Sequence, residues 1–439
     1  MSSAGVVSRY ANGKANKVHP RDQAVHNWYR FVLSFPPHLV EDYLARFGIG
    51  PTQRVLDPFC GTGTTLVECK KQGVPSVGIE ANPVAHFSSQ VKTNWGIDPD
   101  GLAEHAASIV EKATARLEAQ GLGDFFQTPR GAPRNGVQLL ELPSESHRLL
   151  LTGSISPVPL HKALTLLHTI RSHGAEPYQD HELLALAKVL PTTIGNLHFG
   201  PEVGVETAKT DAPAVEAWST EVRQVVSDLR LVRERQHVPS VVHCADARSV
   251  EDLLPPASID AVITSPPYPN EKDYTRTTRL ESVILGFLTS RADLRALKHD
   301  LLRSNTRGVY KTDDDDRWIA DHPEVERIAR EIEARRIELG KTSGFERLYA
   351  RVTKLYFGGM KRHFADLRSR LRPGAHLAYV VGDQASYLRV MIRTGQLLAE
   401  IAESLGYEVI GIDLFRTRLA TATREQLREE IVVLRWPGS

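Results

Sequence analysis

Cysteine is scarce in this sequence and is not arranged for its usual structural uses. The 439 residues include three cysteines, Cys60, Cys69 and Cys244, and no two of them stand in a Cys-X-X-Cys pair. Disulfide frameworks and zinc sites depend on paired, regularly spaced cysteines. The sequence therefore predicts neither a disulfide framework nor a metal centre.

The sequence also lacks a large excess of charge of either sign. It has 54 lysines and arginines against 53 acidic residues, which leaves a formal net charge of +1. Proteins that neutralise many phosphate groups usually carry a basic excess. Any surface that binds nucleic acid must therefore be a local basic patch balanced by acid elsewhere.

Long apolar runs are missing as well. No run approaches the roughly 18 apolar residues of a membrane span, and the N-terminal stretch has no apolar core of signal-peptide length. With 41% hydrophobic and 24% charged residues, the composition is that of an ordinary globular protein. We expect a cytoplasmic protein that makes no contact with a membrane.

Short β-branched runs alternate with helical patterns, which predicts an α/β fold with a mostly parallel sheet. The first unit is a strand at 54–59, a helix at 64–71 and a strand at 76–80. Strand patterns return at 240–243 and 261–264. The last two predicted strands lack a helix long enough for a crossover between them, so we expect an antiparallel pair closing a sheet of seven strands.

A glycine-rich turn, DPFCGTGTT at 57–65, joins the first strand to the first helix. Gly61 and Gly63 would let the backbone approach a ligand closely and leave the amide groups of the helix N terminus free. A GxG turn is also common as a purely structural connection, so it requires support from other residues.

Three acidic residues supply that support, because each stands at the end of a predicted strand. Glu80 follows Gly61 by 19 residues, close to the spacing of about 20 at which an acid binds ribose hydroxyls in dinucleotide-binding folds. Asp246 would accept a hydrogen bond from an adenine amino group. Asp57 would repel a diphosphate but bind an α-amino group, which favours S-adenosylmethionine over a dinucleotide. Helix capping and surface ion pairs are the structural alternatives.

A second motif, TSPPY at 264–268, follows a predicted central strand. Its two prolines restrict the backbone and preorganise the loop. The Ser265 hydroxyl and the Pro266 carbonyl would accept both hydrogens of an exocyclic base amine, which frees the nitrogen lone pair for attack. Tyr268 would stack on a base swung out of a duplex. The alternative is a Ser-Pro-Pro turn packed under a core tyrosine.

Together, the two motifs resemble those of the DNA amino-methyltransferases, which methylate cytosine N4 or adenine N6. The resemblance implies a class I S-adenosylmethionine-dependent methyltransferase fold, Rossmann-like, with DNA as the substrate. It assigns cofactor binding to Asp57, Phe59, Gly61, Gly63, Thr64, Glu80, Asp246 and Ala247. It assigns catalysis to Ser265, Pro266, Pro267 and Tyr268. The serine form of the tetrapeptide resembles the enzymes that act on cytosine N4.

Long amphipathic stretches between the strand patterns predict an organisation of the chain, and the resemblance suggests two substrate contacts. The catalytic domain would comprise 1–95 with the cofactor loop, 239–275 with the TSPPY loop, and 350–439. Two helical insertions, 96–238 and 276–349, would interrupt it, and the first is the candidate for target recognition. Tyr274 and Arg279 match a stretch that contacts substrate in one subset of the family, with core packing as the alternative. The run Asp313 to Asp316 is expected to be a solvated loop.

Several alternatives remain open at this point. Here the glycine loop precedes the tetrapeptide, whereas many DNA enzymes have the reverse order, and RNA or tRNA guanine-N2 methyltransferases share the order found here. RNA is therefore the second candidate substrate. An inert methyltransferase fold that serves as a DNA-binding subunit is the alternative from another class. A restriction or defence-system partner fits the DNA hypothesis. Methylation of a cytosine ring carbon would need a cysteine nucleophile that follows a proline, and no cysteine follows a proline here.

Overall fold

A computed structural model describes residues 22–30, 34–124, 137–174, 177–200, 202–270, 272–419 and 426–438. Its strands are β1 (Val55–Asp57), β2 (Ser76–Ile79), β3 (Leu197–Phe199), β4 (Val203–Val205), β5 (Ser240–His243), β6 (Ile259–Thr264), β7 (Leu371–Gly382), β8 (Glu408–Leu419) and β9 (Gln426–Arg435). Its α-helices are α1 (Pro37–Phe47), α2 (Thr64–Lys71), α3 (Pro83–Thr93), α4 (Pro99–Ala119), α5 (Ser144–His147), α6 (Pro157–Ser172), α7 (Gln179–Val189), α8 (Ala214–Val232), α9 (Tyr274–Thr277), α10 (Arg279–Ile284), α11 (Arg291–Asp300), α12 (Pro323–Glu338), α13 (Tyr349–Leu367) and α14 (Thr394–Ser404).

Seven of these strands form one sheet in the order β5-β2-β1-β6-β7-β9-β8. Strands β5, β2, β1, β6 and β7 are parallel, and β9 pairs antiparallel with both β7 and β8. The predicted mostly parallel sheet with a closing antiparallel pair is confirmed. Because the chain passes from β1 to β2 on one side and later places β6 on the other, a crevice opens at the carboxyl ends of these strands.

Helices cover both faces of the sheet because successive strand residues point in opposite directions. Val55 of β1 belongs to an apolar cluster with residues of α1, including Leu39 and Tyr43. Its neighbour Leu56 belongs to the cluster on the other face, which contains Tyr356 of α13. The sheet is thus the middle of three layers, and its strand ends are held rigidly.

The first long stretch outside the sheet contains α4 to α8, together with the hairpin β3–β4, which the sequence did not predict. Its apolar core is continuous with Trp28 near the N terminus and with α3. Asp228 of α8 accepts hydrogen bonds from the backbone NH of Val25 and the indole NH of Trp28, each at 2.8 Å. The N-terminal segment is therefore bound to the insertion by a buried carboxylate.

The second stretch, between β6 and β7, contains α9 to α12. In α12, Val325, Ile328 and Ile332 are buried, while the opposite, solvated face carries arginine–glutamate pairs. The prediction of a solvated loop at Asp313 to Asp316 is wrong for two of its members. The Asp313 and Asp315 side chains are each 6% exposed and form ion pairs with arginines, because arginines distant in sequence pack over this loop.

Across the described ranges, no helix has both the length and the hydropathy needed to cross a bilayer.

Replacing Asp228 tests the connection between the N-terminal segment and the insertion. Asp228→Ala leaves two buried donors without an acceptor, so we expect the free energy of unfolding to fall by about 2 to 3 kcal/mol. The matched control is Asp100→Ala, because the Asp100 side chain is 73% exposed in its pair with Arg230; there we expect a change below about 0.5 kcal/mol. Equal losses in urea unfolding of the two variants would contradict the proposed role of Asp228.

Candidate active site

A cavity of about 510 Å³ lies at the carboxyl ends of the parallel strands, within the size range of small-molecule sites. The sequence-predicted residues that line it are Phe59, Gly61, Thr64, Glu80, Asp246, Ala247, Ser265, Pro266, Pro267, Tyr268 and Tyr274. Three others, Asp57, Gly63 and Arg279, lie outside the cavity wall. The structure thus brings the residues of both motifs to one cavity.

The glycine turn between β1 and α2 forms one wall. Gly61 and Gly63 have φ values of 51° and 85°, in the left-handed region that glycine adopts without strain. A Cβ atom at Gly63 would lie 3.0 Å from the Ser89 Oγ, so a side chain there would also push against α3. These constraints explain why the turn contains glycine at both positions. The turn leads directly into α2, which therefore begins at the cavity.

Asp57 lies beneath this turn. It is fully buried, and its Oδ1 accepts hydrogen bonds from the Phe59 backbone NH at 3.1 Å and the Thr264 hydroxyl at 2.6 Å. Burial raises the pKa of Asp57 to about 6, an effect opposed by these hydrogen bonds. Asp57 does not line the cavity and instead links the glycine turn to the TSPPY loop; its contact with an α-amino group stays a prediction.

Glu80 stands at the end of β2 and faces the cavity. Its Oε2 accepts the Gly61 backbone NH at 2.9 Å, and its Oε1 accepts the Asn82 backbone NH at 2.7 Å. Burial raises the pKa of Glu80 to about 7, despite these backbone hydrogen bonds. A carboxylate can accept about four hydrogen bonds, so both oxygens retain lone pairs for donors in the cavity.

Asp246 lines the cavity but is already engaged by a residue that the sequence analysis missed. Arg248 donates from Nε to both carboxylate oxygens at 3.0 Å, and from Nη2 to Oδ2 at 2.7 Å. Its Nη1 donates to Asp315 in the second insertion. The sequence shows Arg248 two residues after Asp246, but it does not show the second partner, Asp315, which is 67 residues away. Arg248 therefore fixes Asp246 in place.

In the TSPPY loop, the Ser265 hydroxyl donates to the Val380 carbonyl of β7 at 3.0 Å. A hydroxyl has one proton and two lone pairs. Because the proton is used by Val380, the oxygen can only accept hydrogen bonds from a group in the cavity.

Two tyrosines lie beside this loop. The Tyr268 ring packs against Gly382 at the end of β7, where a Cβ atom would lie 3.0 Å from the ring carbon Cε2. Burial raises the pKa of Tyr268 well above its ordinary value and that of Tyr274 to about 12. Both phenols are therefore neutral at physiological pH.

Arg279, the other predicted substrate contact, has a structural position instead. It is 7% exposed and donates to the Thr275 and Leu149 carbonyls at 3.1 and 3.2 Å. Lys361 and Arg362 of α13 form ion pairs with Asp321 and Asp315 and lie outside the cavity wall.

His363 of α13 is a supporting residue that the sequence analysis also missed. Its ring contacts Phe59 edge-on, with 5.0 Å between centroids, and its nitrogens bond the Ala247 carbonyl at 2.6 Å and the Tyr379 hydroxyl at 2.7 Å. Burial lowers the pKa of His363 to about 4. A neutral imidazole thus holds Phe59 and Ala247 in position.

The remaining wall comes from elements with no recognised motif. The polar residues that it contributes include Lys272, Lys298, Arg303, Asn305, Arg416 and Glu429. They belong to the stretch between β6 and β7 and to β8 and β9, so the sequence analysis had no local pattern by which to find them. Within the portion of the chain that the structure describes, no group of three or more His, Cys, Asp or Glu side chains is arranged to hold a metal ion.

The sheet order, the glycine turn and the acids at the strand ends together define a class I S-adenosylmethionine-dependent methyltransferase fold. The DNA methylase family N6_N4_Mtase matches residues 9–90. Two similar proteins align over nearly the whole chain. Type II methyltransferase M.BsoBI of Geobacillus stearothermophilus is 25% identical over 94% of this chain and 85% of its own length. Type II methyltransferase M.AvaI of Nostoc sp. is 23% identical over 97% and 88%.

A third relative is similar over a shorter stretch. Type II methyltransferase M.MjaII of Methanocaldococcus jannaschii is 40% identical over 73 residues, 16% of this chain and 13% of the relative. The chain is thus similar to the DNA methylase family over residues 9–90 and, at 23 to 25% identity, to type II methyltransferases over nearly its whole length. Because the alignments to M.BsoBI and M.AvaI cover at least 94% of the chain, they also include the helical insertions.

The raised pKa of Glu80 predicts a specific dependence of stability on pH. The folded state keeps the Glu80 proton up to about pH 7, whereas the ordinary value is 4.5, so wild-type stability falls as pH rises between these values. Glu80→Gln removes this titration. We expect its free energy of unfolding, relative to wild type, to rise by at most about 3 kcal/mol between pH 4.5 and 7. If urea unfolding gave the same pH dependence of the unfolding free energy for wild type and Glu80→Gln across this window, the raised pKa of Glu80 would be contradicted.

Proposed function

We propose that this chain transfers a methyl group from S-adenosylmethionine to the exocyclic amino group of a DNA base, with cytosine N4 as the first choice. The observation that carries the proposal is the hydrogen bond that the Ser265 hydroxyl donates to the Val380 carbonyl, which leaves the lone pairs of the hydroxyl oxygen for the cavity. An amino group offers hydrogens and requires acceptors. The site therefore has the polarity that an exocyclic amine needs.

The residues at the cavity fit the cofactor by the chemistry of their donors and acceptors. Glu80 keeps free lone pairs for the two hydroxyls of a ribose, and the turn at Gly61 allows close approach of the backbone. Asp246, fixed by Arg248, and the apolar ring of Phe59 would flank an adenine. S-adenosylmethionine supplies an electrophilic methyl group carried on a sulfonium ion.

The protein's part in the reaction is to orient the amine and accept its hydrogens. The lone pair of an exocyclic amine is delocalised into the base, so the amine is a poor nucleophile. Ser265 Oγ and the Pro266 carbonyl would accept its two hydrogens and draw the nitrogen towards tetrahedral geometry. Because the two prolines and the bond to Val380 hold this loop, little reorganisation is needed at the moment of attack.

The target base would have to leave the duplex to reach a site at the bottom of a cavity, as for other enzymes that modify bases. Tyr268 lines this cavity and is held against Gly382, so its ring is preorganised for stacking on the extruded base. Tyr274 would border the same base. Residues of both motifs line one cavity, which supports a direct in-line attack of the amine on the methyl group.

The choice of base rests on the serine of TSPPY, whose form resembles that of the cytosine-N4 enzymes; adenine N6 is the second choice. DNA rather than RNA is supported by the match to the DNA methylase family and by the type II methyltransferases that align over nearly the full chain. An inert DNA-binding subunit is disfavoured because the Ser265 loop and Glu80 meet in one cavity. A restriction partner and the cytoplasm as location stay predictions.

Ser265→Ala tests the role of the hydroxyl acceptor. Loss of one preorganised partner of the reacting group is expected to reduce kcat by about a hundred-fold, while the dissociation constant of S-adenosylmethionine, measured by calorimetry, stays at the wild-type value.

The matched control is Ser404→Ala on α14, where the hydroxyl likewise donates to a backbone carbonyl, that of Ile401 at 2.6 Å. It should retain wild-type kcat. A Ser265→Ala protein that is folded, binds cofactor and turns over at the wild-type rate would show that the hydroxyl is not needed.

The identity of the product tests the substrate. Purified protein with isotopically labelled S-adenosylmethionine and genomic DNA should yield labelled N4-methylcytosine after digestion to nucleosides and mass spectrometry. Labelled N6-methyladenine would keep the enzyme class and overturn the choice of base. Label found in RNA and not in DNA would overturn DNA as the substrate.

A further inference from the structure

A shallow basic depression lies beside the cavity and has not been assigned a role above. Its charged and aromatic members are Arg148, Arg279, Arg291, Arg295, Lys298 and Tyr310, with Leu149 and Leu294 between them. We call these residues the α11 surface, since half of them belong to that helix. Lys298 also lines the cavity, so the two features are continuous.

Three arginines of the α11 surface are not held in ion pairs by the residues that the structure describes. Arg148, Arg291 and Arg295 are exposed, and none forms an ion pair with an acid in the ranges that the structure describes. The arginines of the neighbouring α12 differ, because Arg327 and Arg335 are each paired with a glutamate of the same helix. In a chain of net charge +1, this surface is a local concentration of free positive charge.

On α11, the cationic residues form a row. Arg291, Arg295 and Lys298 are spaced four and three residues apart, so they lie along one face of the helix. The helix contains two acids: Asp293 is occupied at the N-terminal cap, where it accepts hydrogen bonds from Thr289 and Ser290, and Asp300 ends the helix at the cavity. The row runs along the helix towards Lys298 at the cavity.

The surface is rigid because both insertions build it together. Arg148 and Leu149 come from the first insertion, and Leu149 packs with Val283, Leu288 and Leu297 of the second. The buried Arg279 donates to the Leu149 carbonyl at 3.2 Å and so anchors the segment that carries Arg148.

Aromatic contacts restrain the outer edge. The Tyr310 ring stacks on His299 with 4.3 Å between centroids, and the Arg295 guanidinium lies 5.4 Å from the centre of the same ring. Guanidinium groups held in this way lose little side-chain entropy when they bind an anion.

We propose that the α11 surface binds the phosphate backbone of the DNA next to the base that enters the cavity. The proposal rests on the proposed function for its choice of DNA. Guanidinium groups bind phosphate oxygens with two parallel hydrogen bonds. Such contacts position a duplex without reading its sequence. Arg291 and Arg295 provide the phosphate contacts, whereas Lys298, which is paired with Asp273 at 3.1 Å, joins this surface to the cavity wall.

The experiment measures binding of a fluorescein-labelled random-sequence DNA duplex by anisotropy at several salt concentrations, with the full chain and without turnover. Arg291→Gln/Arg295→Gln is expected to bind about ten- to a hundred-fold more weakly than wild type. The slope of log affinity against log salt concentration should fall in magnitude by about two, one unit for each lost phosphate contact.

The control is Arg327→Gln/Arg335→Gln, which removes the same charge from exposed positions of α12 and should leave affinity and slope at wild-type values. Thermal unfolding and S-adenosylmethionine affinity of both double variants should match wild type.

An unchanged salt slope for the α11 variant, or equal losses of DNA affinity in both double variants, would contradict the proposed role of the α11 surface. Either result would leave the proposal of methyl transfer to DNA intact. Methyl transfer to RNA alone would instead overturn the proposed function, whereas a wild-type protein that binds no DNA would contradict both.

Discussion

The hydrogen bond from the Thr264 hydroxyl to the buried Asp57 carboxylate holds the two chemical loops of this protein together. Asp57 ends β1 and leads into the glycine turn, while Thr264 ends β6 and leads into Ser265. A buried carboxylate is costly unless hydrogen bonds stabilise it. The same bonds that stabilise Asp57 therefore fix the distance between the turn at Gly61 and the Ser265 loop, on which any transfer between their ligands depends.

Around this bond, polar contacts tie the insertions to the sheet. Arg248 connects Asp246 at the cavity with Asp315 of the second insertion. Gly358 of α13 makes this contact possible. The helix lies so close to the Asp315 backbone that a Cβ atom at position 358 would be 1.9 Å from the Asp315 carbonyl oxygen. The stretch between β6 and β7 thus contributes to the site, and the alignments to M.BsoBI and M.AvaI extend over at least 94% of the chain.

Sequence reasoning predicted the features that depend on local patterns. Strand ends in a parallel sheet share one edge, so the positions of Gly61, Glu80 and Ser265 followed once the strands were recognised. Three features depended on information that local patterns do not carry. Arg248 meets Asp315 only through tertiary packing, and β3 and β4 are too short to show periodicity. The strand pattern placed Asp57 at the correct edge without showing that it lies beneath the turn.

The central claim is that one cavity holds both the cofactor and the amino group that is methylated. A crystal structure of the protein with S-adenosylhomocysteine and a duplex containing the target base tests it most directly. We expect the ribose of the ligand at Glu80 and the exocyclic nitrogen of an extruded base within hydrogen-bonding distance of Ser265 Oγ and the Pro266 carbonyl. A base that stays stacked in the duplex, or a ligand bound away from Glu80, would contradict the account.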